Sequence, residues 1–402
     1  MNLEEITITH KKSLKQRLAD FFANPKKRLI FIICSGLVLI AAVATGLYFM
    51  TKTTPQEQAE EDALIEEKNY EPTFYSRLDG SAISSETQDK YPLAVMVENH
   101  VDARPQAGLD KASIVYEAIA EGGITRFMAI FGPKEADKVG PVRSARPYYV
   151  DWAMGYNAYY AHVGGNAYAL DQIANEKVFD LDQFKYTAPY WRDTSLKVSR
   201  EHTMFASVSK LREQASKLGY SATPNYRQYK FAEAINPNQE VEDSSNNANT
   251  QTVTDSQSQG QTTPSSSTPS ATNINVLFSS ASYNVKFKYD NTTNTYKRVL
   301  NNGSVQKDRE SKSEIAPTNL IVMTVKRSPL VTRINEHGYL METVGEGSAK
   351  IFLDGEVIEG KWKKDSRKDR EVFYDSKGEE IVFNRGQFWI CVIPPDSSVN
   401  YE

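Results

Sequence analysis

The chain has almost no cysteine: only Cys34 and Cys391 occur among its 402 residues. Cys34 lies inside a long apolar run and Cys391 near the end of the chain, so the two are not expected to pair. A disulfide scaffold is therefore excluded, as is a metal site built on several thiolates. Hydrophobic cores must hold the fold together.

The chain also lacks an excess of positive charge. Its net charge is −4, with 24% charged and 40% hydrophobic residues. This balance gives no attraction of the whole molecule to nucleic acid, and no nucleic-acid partner is expected. The hydrophobic fraction is ordinary for a globular protein.

Two motifs typical of common catalytic and metal-binding sites are absent from the sequence. The sequence has no Gly-x-Ser-x-Gly elbow, which would place a nucleophilic serine on a strand-to-helix turn. It also has no His-x-x-x-His pair, which would set two zinc ligands on one helical face. No metal site and no cofactor are predicted.

What the chain does have is one long apolar run. Residues 29–50 carry no charge, and as a helix these 22 residues would span about 33 Å, enough to cross a bilayer core. Residues 1–28 hold seven Lys or Arg against three acids, whereas residues 51–70 hold two against six. The positive-inside rule predicts a single-pass anchor in the cell membrane, with a cytoplasmic N-terminus and the bulk of the chain extracytoplasmic.

A cleaved export signal is the alternative interpretation of the same run. Ala42, Val43 and Ala44 form the small-x-small pattern that signal peptidase recognises. The apolar run continues beyond that pattern to Met50, which favours the anchor. Cys34 is not expected to carry a lipid, because Ile33 stands before it where a lipoprotein has a small residue.

Composition predicts the organisation of the remaining chain. A cytoplasmic basic tail (1–28) and a transmembrane helix (29–50) precede a polar stalk (51–69). A first domain (70–235) and a second domain (274–402) are separated by a linker rich in Ser, Thr, Asn and Gln (236–273). The linker has too few apolar residues to offset the entropy of ordering and is predicted to be flexible.

The fold class is predicted from apolar periodicity. In the first domain, strand-like runs (93–97, 113–117, 124–131 and 158–163) interleave with helical patterns (144–156, 166–176 and 205–218). This alternation predicts an α/β layered domain. The second domain alternates polar and apolar residues between Gly-containing turns, which predicts a small, mainly antiparallel β domain. Each is long enough to bury a core of its own.

Several segments resemble the YerB-like family, a domain of unknown function in exported or lipid-anchored bacterial proteins. In the first domain they are residues 104–109, 115–117, 121–127, 140–146, 162–165 and 200–203. In the second they are residues 354–355, 360–364 and 386–390. The proline usual before the later histidine of the family is Glu201 here. The resemblance implies an α/β first domain and an extracytoplasmic location, but no established activity.

Four arginines lie beside turns where strand and helix ends can converge. They are Arg104, Arg126, Arg143 and Arg146, and Ser144 can cap the helix that follows. Guanidinium groups near a helix start suit a phosphate or carboxylate, so these five residues are predicted to bind an anion. The alternative is a structural salt-bridge network in which the arginines pair with Glu117 and Glu121.

Glu121 and His162 are weak candidates for proton transfer. His162 precedes Gly164 and Gly165, which allow a ligand to approach the backbone, but it could equally close a hydrogen bond inside the sheet. His202, beside Glu201, is expected to support the same pocket, as is Glu117.

A basic run surrounds Trp362. It includes Lys361, Lys363, Lys364, Lys368 and Arg370. Such a run is typical of a solvated hairpin, and docking of an anionic polymer is the alternative.

These observations lead to one functional hypothesis and one rival. The hypothesis is a membrane-anchored extracytoplasmic protein that binds an anionic, phosphate- or carboxylate-bearing component of the cell envelope. The rival is an envelope hydrolase or transferase that acts on a phosphorylated or glycan substrate.

Overall fold

The computed structural model describes residues 13–51, 74–84, 90–221, 223–233 and 270–402. The chain forms two compact units, Met1–Pro72 and Thr73–Glu402, and each is described by itself. Nearly all of the predicted stalk (51–69) and linker (236–273) lies outside the described residues.

The first unit contains two helices, α1 (Leu14–Ala23) and α2 (Pro25–Thr51). Asn24 starts α2: its side-chain oxygen accepts hydrogen bonds from the backbone N–H groups of Lys26 and Lys27, and Pro25 takes the first helical position. Within α2, residues Pro25–Gly46 form a segment long and apolar enough to cross a membrane, and an 18-residue window of it has a mean hydropathy of 2.6. The predicted run 29–50 is therefore helical throughout.

The second unit is built mainly of strands. In chain order they are β1 (Phe74–Tyr75), β2 (Ala82–Ile83), β3 (Leu93–Glu98), β4 (Ile114–Glu121), β5 (Ile124–Phe131), β6 (Tyr159–His162), β7 (Phe179–Asp182), β8 (Tyr190–Arg192), β9 (Met204–Ala206), β10 (Lys230–Phe231), β11 (Asn273–Leu277), β12 (Val285–Asp290), β13 (Thr295–Val299), β14 (Asn319–Thr324), β15 (Arg327–Val331), β16 (His337–Met341), β17 (Gly345–Leu353), β18 (Glu356–Lys364), β19 (Val372–Asp375), β20 (Val382–Phe383), β21 (Phe388–Ile393) and β22 (Ser398–Tyr401). Its helices are α3 (Pro147–Gly155), α4 (Ala167–Asn175) and α5 (Val208–Lys217).

A ten-stranded sheet forms the centre of this unit, in the order β19-β18-β17-β14-β21-β4-β5-β3-β6-β7. Strands β14, β21 and β4 are parallel to one another, as are β3, β6 and β7. Since β5 is antiparallel to both β4 and β3, all six run in one direction. Their carboxyl ends meet at one side of the sheet, here called the carboxyl edge. In sheets with parallel strands, ligands commonly bind at such an edge.

The sheet separates two hydrophobic cores. On one face, α5 and the four-stranded sheet β13-β12-β11-β22 cover side chains such as Val95 and Trp389. On the other face, α3 and α4 cover side chains such as Met96 and Ile390. Alternate residues of each strand enter opposite cores, as a sheet buried on both sides requires.

The expectation that each outer domain buries a core of its own is wrong. Strand β21 of the second domain pairs with β4 of the first, from Phe388↔Ile114 to Val392↔Ala118, so both cores contain residues from both domains. The mixed α/β architecture itself is confirmed. The sequence pattern shows which strands are buried on both faces, but it does not show which strand lies beside which.

Some predicted ends of helices and strands agree with the structure. Strand 124–131 is confirmed residue for residue, and Asn166 caps α4 by accepting from the N–H of Ala169. Two helix starts are wrong. Helix 144–156 begins only at Pro147, and helix 205–218 begins at Val208 because residues 204–206 form strand β9, paired with β8. Pairing between strands overrides a local helical pattern there.

Candidate functional site

The segment 140–146 reaches the carboxyl edge because it bridges two strands. The N–H of Arg143 donates to the carbonyl of Met96 at the end of β3 (2.9 Å), and the carbonyl of Arg143 accepts from the N–H of Val163 just after β6 (3.0 Å). The segment therefore places Arg143 and Arg146 at the strand ends, as the sequence predicts. Arg126 joins them from the start of β5.

Arg126 and Arg146 converge on one carboxylate, that of Glu121 at the end of β4. Arg126 Nη2 lies 3.0 Å from Glu121 Oε1, and Arg146 Nη2 is hydrogen-bonded to Glu121 Oε2. Burial alone would raise the pKa of Glu121, but the two guanidinium groups outweigh it and lower that pKa to about 2. Glu121 is therefore ionised at neutral pH and is poorly suited to donate a proton.

Each of these two arginines also donates to a backbone carbonyl. Arg126 Nη1 donates to the carbonyl of Ser144 (2.8 Å), and Arg146 Nη1 donates to the carbonyl of Ala145 (2.7 Å). Ser144 does not cap the following helix, whose N-cap residue is Arg146 with no side-chain cap. The site thus resembles the predicted salt-bridge network more than an open anion site.

Arg143 lies between two other carboxylates. Its Nε is 3.1 Å from Glu98 Oε1, and its Nη2 is 3.5 Å from Glu201 Oε2. Glu98 is 4% exposed and also receives His202, whose Nδ1 lies 2.8 Å from Glu98 Oε2. Glu98, which ends β3, is therefore the buried centre of this second cluster.

Glu117 does not pair with the predicted arginines. Its carboxylate accepts from Arg298 of the second domain, from Trp389 Nε1 (3.0 Å) and from the hydroxyl of Thr125 (3.0 Å). The side chain points into the core that contains Val95 and Trp389, on the face of the sheet opposite Arg126. The predicted pairing of Glu117 with Arg126, Arg143 or Arg146 is wrong. Glu117 lies opposite Phe127 on β5, and adjacent residues of a strand point to opposite faces, so Arg126 points away from Glu117.

Arg104 belongs to the same buried network rather than to the arginines at the edge. Its Nε donates to Asn99 Oδ1 (3.0 Å), and its guanidinium lies over the ring of Tyr283, 5.4 Å from the centroid. Burial and the nearby charge of Arg298 lower the pKa of Arg104. The structure therefore divides the predicted anion-binding residues between two places.

His162 is sealed inside the sheet. It is 0% exposed, its Nε2 lies 2.9 Å from Asp180 Oδ1, and its Nδ1 lies 2.8 Å from the carbonyl oxygen of Gly164. Burial would raise the pKa of Asp180, but His162 and Lys185 together lower it. His162 therefore has the structural role that the sequence offered as the alternative, a hydrogen bond inside the sheet. A general base needs access to its substrate, which the buried His162 lacks.

The basic run around Trp362 is only partly solvated. Lys361, Lys363 and Lys368 are exposed, as predicted for a hairpin. Lys364 is buried and its pKa is lowered by burial, while the buried Arg370 packs its guanidinium on the ring of Tyr229. The prediction of a solvated hairpin is wrong for these last two cations, which help to hold the sheet to neighbouring segments.

A cavity of about 610 Å³ opens at the carboxyl edge, beside the arginine cluster. Its lining comes from α3, α4, β15, β16 and the segments that follow β14, β16, β18 and β21. The charged members are Asp151, Lys326, Arg327, Glu342, Arg367 and Asp396. Tyr148 connects the two places. Its side chain lines the cavity, and its hydroxyl donates to the carbonyl of Ile119, two residues before Glu121 (2.7 Å). Burial raises the pKa of Tyr148, and the charges of Arg146, Arg126 and Arg327 oppose that rise.

Arg327 is the residue of this cavity that sequence reasoning missed. It is half-buried and lies 4.5 Å from the centroid of the Tyr339 ring. No carboxylate lies within ion-pair distance of it, and no hydrogen bond reaches its guanidinium, among the residues that the structure describes. Its place a few residues after β14 was the available signal, because the residues that follow a strand lie at the sheet edge.

Asp151 lines the same cavity. Its oxygens accept from Gln172 Nε2 (2.6 Å) and from the Thr343 hydroxyl (2.6 Å), and Arg367 Nε lies 3.3 Å away. Burial raises the pKa of Asp151 despite these partners. No motif in the sequence singles out Asp151, which is one acidic residue within a helical pattern.

Comparisons with known proteins identify relatives of both outer domains. Residues 78–221 match the family described as "Protein of unknown function (DUF3048) N-terminal domain", and residues 274–390 match "Protein of unknown function (DUF3048) C-terminal domain". The chain is 29% identical over 322 residues to the protein named putative lipoprotein YerB of Bacillus subtilis (strain 168), which covers 79% of this chain and 85% of that protein. The crystal structure of YerB from Bacillus subtilis matches with a TM-score of 0.65 at 26% identity, over 81% of this chain and 99% of that one.

Proposed function

Since this chain belongs to the DUF3048 family of proteins of unknown function and is similar to YerB, we propose a binding function for its second unit. The ligand is an anionic component of the cell envelope that bears phosphate or carboxylate groups. It binds in the 610 Å³ cavity at the carboxyl edge, with Arg327 as its main contact.

This proposal rests on the guanidinium of Arg327, which has no carboxylate partner within the part of the chain that the structure describes. A buried or half-buried arginine usually has a carboxylate partner, as Arg126, Arg143 and Arg146 have here. Arg327 instead packs on Tyr339 and presents donors to the cavity. A planar guanidinium can give two parallel hydrogen bonds to a phosphate or a carboxylate.

The other cations of the cavity strengthen its preference for anions. Lys326 lies 3.5 Å from Glu342, but both side chains are mostly exposed, so this pair is weak and can open. Arg367 reaches Asp151 from the far wall. The volume lies within the range of known small-molecule sites, which suits a sugar phosphate or a short segment of an anionic polymer.

Two observations support a location at the cell envelope. Helix α2 is long and apolar enough to cross a membrane, and the relative YerB is named a putative lipoprotein. Both fit a membrane-associated protein whose second unit is extracytoplasmic. A single-pass anchor with a cytoplasmic N-terminus is part of the proposal and rests on the charge difference across residues 29–50.

The test uses the full chain in detergent micelles, with inorganic phosphate and citrate as probes in isothermal titration calorimetry. Arg327→Gln should weaken binding about tenfold or more, because each charge-assisted hydrogen bond contributes about 1.5–3 kcal/mol. Arg333→Gln is the matched control, since Arg333 is an exposed arginine paired with Asp171 and does not line the cavity. Equal affinities for the wild type and Arg327→Gln would overturn the proposal.

Arg146→Gln tests the site predicted from the sequence in the same experiment. If that variant loses binding while Arg327→Gln retains it, the anion binds at the arginine cluster around Glu121. If only Arg327→Gln loses binding, the cluster has a structural role. Both variants are compared by circular dichroism, so that loss of fold is distinguished from loss of ligand.

A second candidate function, an envelope hydrolase or transferase, is favoured by Asp151. An acid with a raised pKa shares the cavity with Arg327, which is the combination that proton transfer to a phosphorylated or glycan substrate needs. Turnover of p-nitrophenyl phosphate that disappears in Asp151→Asn would establish this function. Absence of turnover in the wild type, together with anion binding, would leave the binding function alone.

A further inference from the structure

We propose that His100, Asp102 and His202 form a binding site for a divalent transition-metal ion such as Zn²⁺. This inference goes beyond the proposed function, because none of the three residues lines the 610 Å³ cavity. It also departs from the sequence analysis, which predicts no metal site: His202 is about a hundred positions from the other two residues, and only the fold brings them together.

The local structure sets the three side chains side by side. His100 and Asp102 occupy the turn after β3, where Val101–Ala103 form a short 3-10 helix. His202 ends another short 3-10 helix, Arg200–His202, just before β9. The two imidazole rings stack with centroids 4.8 Å apart and an angle of 9° between their planes. One ligand atom from each residue lies within 4.8 Å of the others.

The orientation of His202 is the strongest feature of the site. Its Nδ1 donates to Glu98 Oε2 (2.8 Å), and Glu98 is buried and held by Arg143. In the neutral tautomer that this hydrogen bond selects, the proton is on Nδ1 and Nε2 is the atom that can bind a metal ion. The carboxylate–histidine arrangement is the usual support of a histidine that binds a metal ion, because the carboxylate fixes the tautomer and raises the basicity of the ring.

His100 and Asp102 have a spacing that suits one ion. His100 Nδ1 lies 3.6 Å from Asp102 Oδ2, close to the separation of two ligands bound at about 2.0–2.1 Å to tetrahedral Zn²⁺. His100 Nδ1 also accepts a long hydrogen bond from the backbone N–H of Asp102 (3.3 Å), which the ion would replace. The Asp102 side chain is 61% exposed, so it can rotate toward His202.

Two imidazoles and one carboxylate favour a borderline transition metal over Ca²⁺ or Mg²⁺, which prefer oxygen ligands. Glu201 can supply a fourth ligand, since its Oε1 lies 3.8 Å from His202 Nε2. Arg143, which contacts the Glu201 carboxylate, is neutralised by Glu98 and Glu201. With three protein ligands, the ion would keep a position open for water or for another ligand.

The test measures Zn²⁺ binding to the full chain in detergent micelles, in a buffer free of chelators. We expect one Zn²⁺ per chain, and Co²⁺ substitution should give the visible absorption bands of a four- or five-coordinate site. His100→Ala and Asp102→Asn change exposed or half-exposed side chains, so both variants should fold. Each should weaken Zn²⁺ binding by about tenfold or more.

His337→Ala and Asp171→Asn are the matched controls, because both remove an exposed side chain of the same type outside the cluster. They should bind Zn²⁺ like the wild type. Glu98→Gln should weaken binding about 10- to 100-fold if Glu98 supports His202 as described. The inference is overturned if the wild type binds no Zn²⁺ at micromolar free concentration, or if His100→Ala and Asp102→Asn both bind with unchanged affinity.

Discussion

Arg298 donates from Nη2 to both oxygens of Glu117, at 2.8 and 3.1 Å, and joins residues that are 181 positions apart. Arg298 is 1% exposed and Glu117 is 0% exposed. Glu117 lies on β4 of the central sheet, and Arg298 lies on β13 of the smaller sheet that covers it. Trp389 and Phe127 flank the guanidinium with their rings. This pair fixes the second domain onto the first.

Replacing Arg298 with Met should destabilise the second unit strongly. The change leaves the Glu117 carboxylate buried without its cation, and breaking a buried ion pair in this way costs about 3–5 kcal/mol. Urea unfolding followed by tryptophan fluorescence measures the loss. Glu213→Gln breaks an exposed pair with Lys217 and should leave the unfolding midpoint unchanged. Equal midpoints for Arg298→Met and the wild type would contradict the structural role of the pair.

The stability contributed by Glu121 should depend on pH. Its pKa in the folded protein is about 2, below the ordinary value of 4.5, so its contribution is complete above the unfolded pKa and is lost as pH falls toward 2. Glu121→Gln should therefore be less stable than the wild type near neutral pH, by on the order of 1 kcal/mol, because solvent screens a side chain that is 40% exposed. Urea titrations at about pH 6 and about pH 3 compare the two proteins. A difference that does not shrink at the lower pH would show that Arg126 and Arg146 do not stabilise the ionised form.

Gly360 should not tolerate a side chain. It pairs with Asp375 where β18 meets β19, and a Cβ at this position would overlap the carbonyl oxygen of Tyr374. Gly360→Ala must push β19 away from the sheet, at a cost of about 1–3 kcal/mol. Thermal unfolding measures this cost, with Lys361→Ala on the neighbouring exposed position as the control. An unchanged melting temperature for Gly360→Ala would mean that β19 adjusts without loss.

The membrane-bound protein should retain its first unit. If α2 is an anchor, the intact mass of the protein extracted from membranes includes Lys26 and Arg28, and the protein resists carbonate extraction. Leu39→Arg, near the middle of the apolar segment, should reduce the membrane-bound fraction. A central arginine raises the free energy of membrane insertion by about 2.5–3.5 kcal/mol. A mature chain that begins at Thr45 would show that the segment is a cleaved signal.

Much of the secondary structure could be predicted because local signals define it. Asn166 offers a capping oxygen to α4, and the alternation around Phe287 predicts strand β12. The motif residues also predicted the family. The helix expected to start at residue 205 starts at Val208 instead, because residues 204–206 pair with β8. A local pattern does not show a pairing partner.

The candidate site could be predicted only in part. The arginines at turns were visible in the sequence, and three of them do meet at the carboxyl edge. Their partners were not visible, since Glu117 faces Arg298 and Arg143 shares Glu98 with His202. Arg327 and Asp151 acquire their significance from a cavity whose walls come from two helices, two strands and several loops that are distant in sequence.

The sequence by itself determined the apolar helix, the buried strands and the supply of arginine at strand ends, because these depend on residues close together along the chain. The tertiary structure decided which strands are neighbours and which carboxylates Arg126, Arg143 and Arg146 contact. It also decided that Arg327, among the described residues, has none. Those outcomes depend on side chains separated by up to 181 positions, whose distances are set by packing of two cores around one sheet.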